Sequence, residues 1–329
     1  ASRASRSATA GGGTTVAGDA ASSCRAAISS GMFAGAAMLA APLAALTLQW
    51  YRPTPYMLDL GMAPFQVRIE VNRTRLGPRG NFGRALELAT GDLVMLCDQD
   101  DVWLDGKIAT HEAAAGEHPE KHCFISDAWL ADRELHSTGE SKMDRISRAG
   151  LPATAMVMGC CTTFRREFLS TLLPIPADER AHDNWLVQMA DLLDVTLRME
   201  VPLQLYRRHG SNVSDFFVNR LDRPGPVERG RLSLGRAMHR MMSPGGLAEE
   251  QRFYRNASAR LGDCVEPLQE LVGSRFDAAV AVASELEARL ARRLAVRRMP
   301  HARRFAPILS MWRGGDYLFA GGVAGAGGG

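Results

Sequence analysis

Three carboxylates fall within four positions, Asp98, Asp100 and Asp101, directly after the apolar run Leu93-Val94-Met95-Leu96-Cys97. A run of that length and character reads as a buried parallel strand. Acids at its end would lie on the carboxyl edge of a sheet, where α/β proteins bind ligands. Asp98 and Asp100 are two apart, so an extended backbone points both side chains the same way. Like charges held that close call for a cation. Mg²⁺ or Mn²⁺ fits, being a hard ion with oxygen ligands whose shell substrate phosphates can complete. The bland alternative is a solvated acidic turn or a helix N-cap. The apolar run before the acids, with Trp103 and Leu104 after them, weighs against it.

A second constellation lies downstream. His182-Asp183-Asn184-Trp185 follows a proline-broken loop and opens an apolar helix from Trp185 to Leu193. An Asp at a helix start is often a cap, and alone Asp183 carries that reading as its default. Further on, Pro202-Leu203-Gln204-Leu205-Tyr206-Arg207-Arg208-His209 reads as a strand that ends in Arg and His. Such groups suit phosphate oxygens or the completion of a metal shell; in isolation, His209 is more readily a surface histidine.

The elements that must position these residues change character along the chain. Residues 1–66 contain no Lys or Glu and only Asp19 and Asp59 as acids, with long Ala/Gly/Ser stretches. Residues 26–48 carry no charge, which raises a membrane span or signal peptide. Their Ala, Gly and Ser content, with Pro42 inside, gains little from leaving water, so a non-spanning segment is preferred. From Val67 the texture is that of a folded domain. Val67-Arg68-Ile69-Glu70-Val71 alternates as a half-buried strand. Asn81 is the expected N-cap of a helix over about 82–89, ended by Gly91. Leu93–Cys97 and His122–Asp127 read as strands, a helix begins near Leu104, and another covers about 165–173 before Pro174 and Pro176. Strands alternating with helices predict an α/β fold, a mainly parallel sheet flanked by helices.

From about Asp222 the chain turns helical, with Ala278 to Val296 periodic throughout. Seven Arg and no acid lie between Arg289 and Arg304. This is either a solvated basic face or a dock for an anionic membrane surface. The Gly-rich end is expected to be disordered. The expected organisation is therefore an anomalous segment 1–66, an α/β core 67–221 and a basic helical region 222–329.

Composition excludes several classes. A net charge of +3 with 23% charged residues gives no reason to expect a nucleic-acid partner. The six cysteines show no C-x-x-C pair, so neither a zinc site nor a disulfide framework is supported, and Cys97, Cys160 and Cys161 read as packed free thiols.

Four motifs in register carry a family resemblance. They are Asn72…Asn81-Phe82-x-Arg84-Ala85-Leu86…Gly91-Asp92, Asp98-Gln99-Asp100-Asp101-Val102-Trp103-Leu104, His182-Asp183-x-Trp185, and Tyr206-Arg207-x-His209-x-x-Asn212-Val213. In order and spacing, over about residues 67–215, they resemble bacterial family 2 glycosyltransferases, most closely the rhamnosyltransferase-like branch that builds surface polysaccharides. The resemblance implies a GT-A fold and inverting transfer of a sugar, rhamnose in that branch, from a nucleoside-diphosphate donor to a glycan or lipid-linked acceptor. It makes Asp98-x-Asp100 the D-x-D element, with Asp100 a ligand of Mn²⁺ or Mg²⁺ and Asp98 facing the donor. Asp183 becomes the catalytic base. Asn81, Arg207 and His209 fall on the donor side, His209 as a further metal ligand, and Gly159–Thr163 near the acceptor. The implied location is cytoplasmic, at the inner face of the cell membrane.

Two departures stand out. Gly80 replaces the Arg that the family places before the residue matching Asn81. More seriously, residues 1–66 contain neither the family's opening Pro-x-Tyr-Asn-like strand motif nor the Asp-Asp-Gly-Ser segment that grips base and ribose. About the right length with alien composition suggests an out-of-frame N-terminus. It also leads to the expectation of an uncovered sheet edge beside the core strands, poor solubility and weak donor binding. Two competing readings follow: a non-catalytic relative acting as a binding or scaffold protein without the nucleotide half-site, and a metal-dependent phosphotransferase or nucleotidyltransferase. The absence of a glycine-rich phosphate loop counts against the latter.

Overall fold

The computed structural model describes residues 36–41, 45–50, 67–98, 100–208, 217–219 and 244–316. His209, Asn212 and the Gly-rich end lie outside the described residues. The strands are β1 (Ala36–Ala41), β2 (Ala45–Trp50), β3 (Val67–Val71), β4 (Leu93–Asp98), β5 (Val102–Trp103), β6 (Cys123–Ala131), β7 (Ser137–Ser141), β8 (Thr162–Arg165) and β9 (Thr196–Arg207). The helices are α1 (Gly77–Leu88), α2 (Lys107–Glu117), α3 (Lys142–Arg148), α4 (Arg166–Leu172), α5 (His182–Leu192), α6 (Pro244–Asp263), α7 (Val265–Val272), α8 (Arg275–Arg298) and α9 (Phe305–Arg313).

One sheet runs in the order β3-β2-β1-β4-β8-β6-β9-β5, with β7 paired to β6. The α/β reading holds, a sheet flanked by helices, but the sheet is not the mainly parallel one expected, and β4 has antiparallel neighbours on both sides. Within it the pairing is mixed: β2–β3 and β6–β9 are parallel, whereas β1–β2, β1–β4, β4–β8, β5–β9, β6–β7 and β6–β8 are antiparallel. An antiparallel neighbour needs no crossover helix, which suits short strands such as β5 and β8.

The edge expected to lie open beside the core strands is paired. β1 and β2 fill the place between β4 and β3, with Met38 opposite Leu96 and Leu48 opposite Ile69. Sheet pairing is made by backbone N–H and C=O groups, so an Ala-rich run can satisfy an edge that its side chains would not predict. Among the described residues no helix is long and apolar enough to cross a membrane.

Local sequence explains most boundaries. Val94 to Cys97 are buried, as the apolar run requires. α1 starts more than a turn earlier than expected because Pro78 occupies its first turn, where its fixed φ and missing N–H cost nothing. Leu76, not Asn81, is its N-cap, and Asn81 instead accepts a hydrogen bond from Asn72 Nδ2 at 2.7 Å. Phe82, Ala85 and Leu86 of α1 join a core with Phe164, Phe168 and Trp185. Phe253, Leu268, Val272, Phe276 and Ala283, from α6 to α8, belong to that same core. Trp185 meets Phe253 edge-on at 5.9 Å and donates through Nε1 to Leu172 O at 3.0 Å. Helices α6 and α8 thus pack on the site-bearing helix α5. Cys97, Cys160 and Cys161 are buried free thiols, as expected, and Cys123 is one as well.

Candidate active site

The acids gather where β4 ends. The strand stops at Asp98 and Asp100 lies in a turn, so the extended alternation that would pair Asp98 with Asp100 does not apply. Once the chain turns, Asp101 comes round beside Asp98. Single ligand atoms from Asp98, Asp101 and Cys160 all lie within 4.8 Å of one another. Burial, then the charges of Asp100 and Asp183, push the Asp98 carboxyl up to about 7. A Cβ on Gly159 would meet both Asp183 Cβ (3.4 Å) and Leu96 Cδ1 of β4 (3.6 Å), so Asp183 lies close to the end of β4 despite its separation in the chain, and its charge acts on Asp98.

Asp101 has no role in the motif resemblance, yet it organises the loop. It is fully buried, and its oxygens accept the Arg207 backbone N–H (Oδ1, 2.9 Å) and Gln204 Nε2 (Oδ2, 2.9 Å). Burial and the neighbouring Asp98 and Asp100 charges hold its carboxyl well above the usual carboxylate range. Gln204 Nε2 also reaches Cys160 Sγ at 3.1 Å. Buried Lys107, the first residue of α2, donates to Gln204 Oε1 and to Cys160 O (2.7 Å), and lies 4.5 Å from the centre of the Trp103 ring. This network ties the acidic loop to β9 and to the 159–161 turn. Arg207 thus sits beside the acids through its backbone.

Asp183 lies in the first turn of α5 but is not its cap: Ala181 occupies that position and makes no side-chain cap bond. Asp183 Oδ1 accepts the Asn184 backbone N–H at 2.9 Å. Gly159 permits this placement, since a Cβ there would lie 2.9 Å from His182 Nε2 and 3.4 Å from Asp183 Cβ. The His182 ring stacks on Phe82, the residue after Asn81, with centroids 3.8 Å apart, and this contact pins the start of α5 against α1.

Lys142 is a second cation that no motif marks. It opens α3, is buried, and lies 5.7 Å from the Tyr206 ring centre. Burial draws its ammonium down to about 8, while Cys161, Cys160 and Asp183 favour its charged form. Asp127 fixes the start of α3 by accepting the Met143 N–H at 3.0 Å. No spacing rule links position 142 to 183, so sequence offers no signal for this interaction.

The donor chemistry fits a divalent ion. Asp98 and Asp101, whose ligand atoms lie within 4.8 Å of each other, offer hard carboxylate oxygens, and the charge of Asp100 acts on both. Cys160 is a soft donor and a poor match for Mg²⁺. The expected ligand His209 lies outside the described residues.

No curated protein matches this chain. Among solved structures, it is similar to S. aureus TarS 1-349 in complex with UDP-GlcNAc, with 12% identity, 74% of this chain and 82% of that chain covered, and a TM-score of 0.43. It is also similar to the mannosyltransferase PcManGT from Pyrobaculum calidifontis in complex with GDP-Man and Mn²⁺, with 12% identity, coverage of 74% and 77%, and a TM-score of 0.40. Residues 56–173, which contain α1, β4 and the acidic loop, match the family model of glycosyl transferase family 2, and this match supports a glycosyltransferase.

Proposed function

We propose that this protein is an inverting family 2 glycosyltransferase that moves a sugar from a nucleoside-diphosphate donor to a glycan or lipid-linked acceptor in surface polysaccharide synthesis. Rhamnose is the sugar suggested by the branch that the motifs resemble. The observation that supports the reading is the acidic loop at the end of β4, inside the matched family region, with Asp183 of α5 packed beside that strand end at Gly159.

In this reading Asp100, with His209, would hold Mn²⁺ or Mg²⁺, and Asp98 faces the donor. When bound, the ion neutralises charge on the leaving diphosphate. Asp183 accepts the proton of the acceptor hydroxyl as that oxygen attacks the anomeric carbon. Lys142 is a buried ammonium whose charged form Asp183 favours. Asp101 and Lys107 keep the loop and β9 in place, and Asn81 and Arg207 serve the donor side with Asp98.

A second reading is a binding or scaffold protein without catalysis. It is favoured by residues 1–66, which lack the family's base- and ribose-gripping motifs. Calorimetry of the full chain with a panel of nucleotide sugars and Mn²⁺ or Mg²⁺, followed by a transfer assay, separates the two. Metal-dependent binding with turnover supports the enzyme; binding without turnover supports the scaffold. Failure to bind, relieved when residues 1–66 are exchanged for a typical family N-terminus, places the defect in the nucleotide half-site. Failure in both chains sinks the glycosyltransferase reading.

A further inference from the structure

α9 carries an apolar face that the described residues leave open. Phe305, Ile308, Leu309 and Trp312 follow helical spacing and line a shallow concavity of about 330 Å³. Phe305 is 77% exposed and Trp312 68% exposed. The helix is not loose. Met311 is buried, and Arg292 of α8 grips Asp316 just beyond the helix at 2.9 and 2.6 Å. Arg304 closes the end of α8 by donating to Arg297 O (2.7 Å) and Met299 O (2.8 Å).

The surroundings of that face are basic. From Arg289 through Arg313 the chain contains eight Arg and no acidic residue. Arg298, Arg303 and Arg313 are exposed. An aromatic face with a cationic rim matches an interface between acyl chains and anionic headgroups, where Trp and Phe sit at the boundary and Arg meets phosphate. The dimensions argue against a protein partner. A nine-residue helix is about 14 Å long, so its face is far smaller than the roughly 800 Å² per partner of a stable interface.

We infer that α9 and the exposed arginines beside it form a docking surface for an anionic lipid bilayer, entered by Phe305, Ile308 and Trp312. Lipid binding alone reads this surface, so its fate is separate from that of glycosyl transfer.

The test is flotation of the full chain with vesicles containing phosphatidylglycerol and with vesicles of phosphatidylcholine only. The chain is expected to float with the anionic vesicles and to be released by salt. Joint replacement Phe305→Ser and Trp312→Ser should lower partitioning about 10²-fold, from the lost aromatic burial. Joint replacement of Arg298, Arg303 and Arg313 by Gln should lower anionic-vesicle binding by a similar factor, about fivefold per arginine. Bromine-labelled lipids should quench tryptophan fluorescence in the native chain and lose much of that effect in Trp312→Phe, a change that leaves the helix intact. Absence of flotation, flotation unaffected by these variants, or a dimer that the double serine variant dissolves would overturn the inference; the last would make the face a contact between two copies.

Discussion

The Asp101 carboxyl accepts the backbone N–H of Arg207 at 2.9 Å, joining the acidic loop to the end of β9. Its other oxygen takes Gln204 Nε2. Asp101→Ala would leave the part-buried Arg207 N–H unpaired, costing about 1–3 kcal/mol, and Gln204 Nε2 with Cys160 Sγ as its remaining acceptor. Urea unfolding should therefore show a loss of about 1–3 kcal/mol, with donor affinity falling as the loop loosens. A change within about 0.5 kcal/mol, the usual range for surface sites, would mean the network does not anchor the loop.

Asp98 predicts a pH dependence. Its carboxyl is raised from 3.8 to about 7, so between those values the folded protein keeps a proton that the unfolded chain has released. Stability of the metal-free protein should fall as pH rises through that window. Mn²⁺ offsets the negative charge that then forms, so it should raise Tm more at pH 8 than at pH 5. Equal shifts at both values would remove Asp98 from the metal site.

Asp100→Ala should abolish metal-dependent donor binding, because the diphosphate charge is then poorly neutralised. Calorimetry with and without Mn²⁺ checks this. Full activity of the variant with metal present would show that the D-x-D assignment fails.

Asp183→Asn is nearly isosteric and cannot take the acceptor proton. Turnover should drop about 10²–10⁴-fold while donor affinity stays near its native value, the signature of a lost general base. A weakened donor with normal turnover would contradict that role.

Gly159→Ala tests how tightly the site is built. The added methyl would meet His182 Nε2 at 2.9 Å, and His182 is held against Phe82. The start of α5 must shift, and Asp183 with it. A misplacement near 1 Å can cost about 10²-fold in rate, so kcat should fall strongly while far-UV circular dichroism is unchanged. Native kcat would show that α5 has room to yield.

Sequence alone determined the local facts: the buried run Leu93–Cys97, the acids after it, the helix bearing Asp183 and the basic C-terminal stretch. Each of these rests on composition and period within one segment, where neighbours in the chain are neighbours in space. The tertiary structure decided what those segments meet. Asp101 comes within ligand distance of Asp98 because the chain turns after β4 and the two-residue alternation ends there. Lys107 and Lys142 reach the site only through the packing of α2 and α3, and Gly159 matters only because α5 crosses it. β1 and β2 fill the sheet through backbone pairing, which the side chains of the Ala-rich β1 do not record. Contacts between distant segments depend on how whole elements dock, and no spacing within a segment records that.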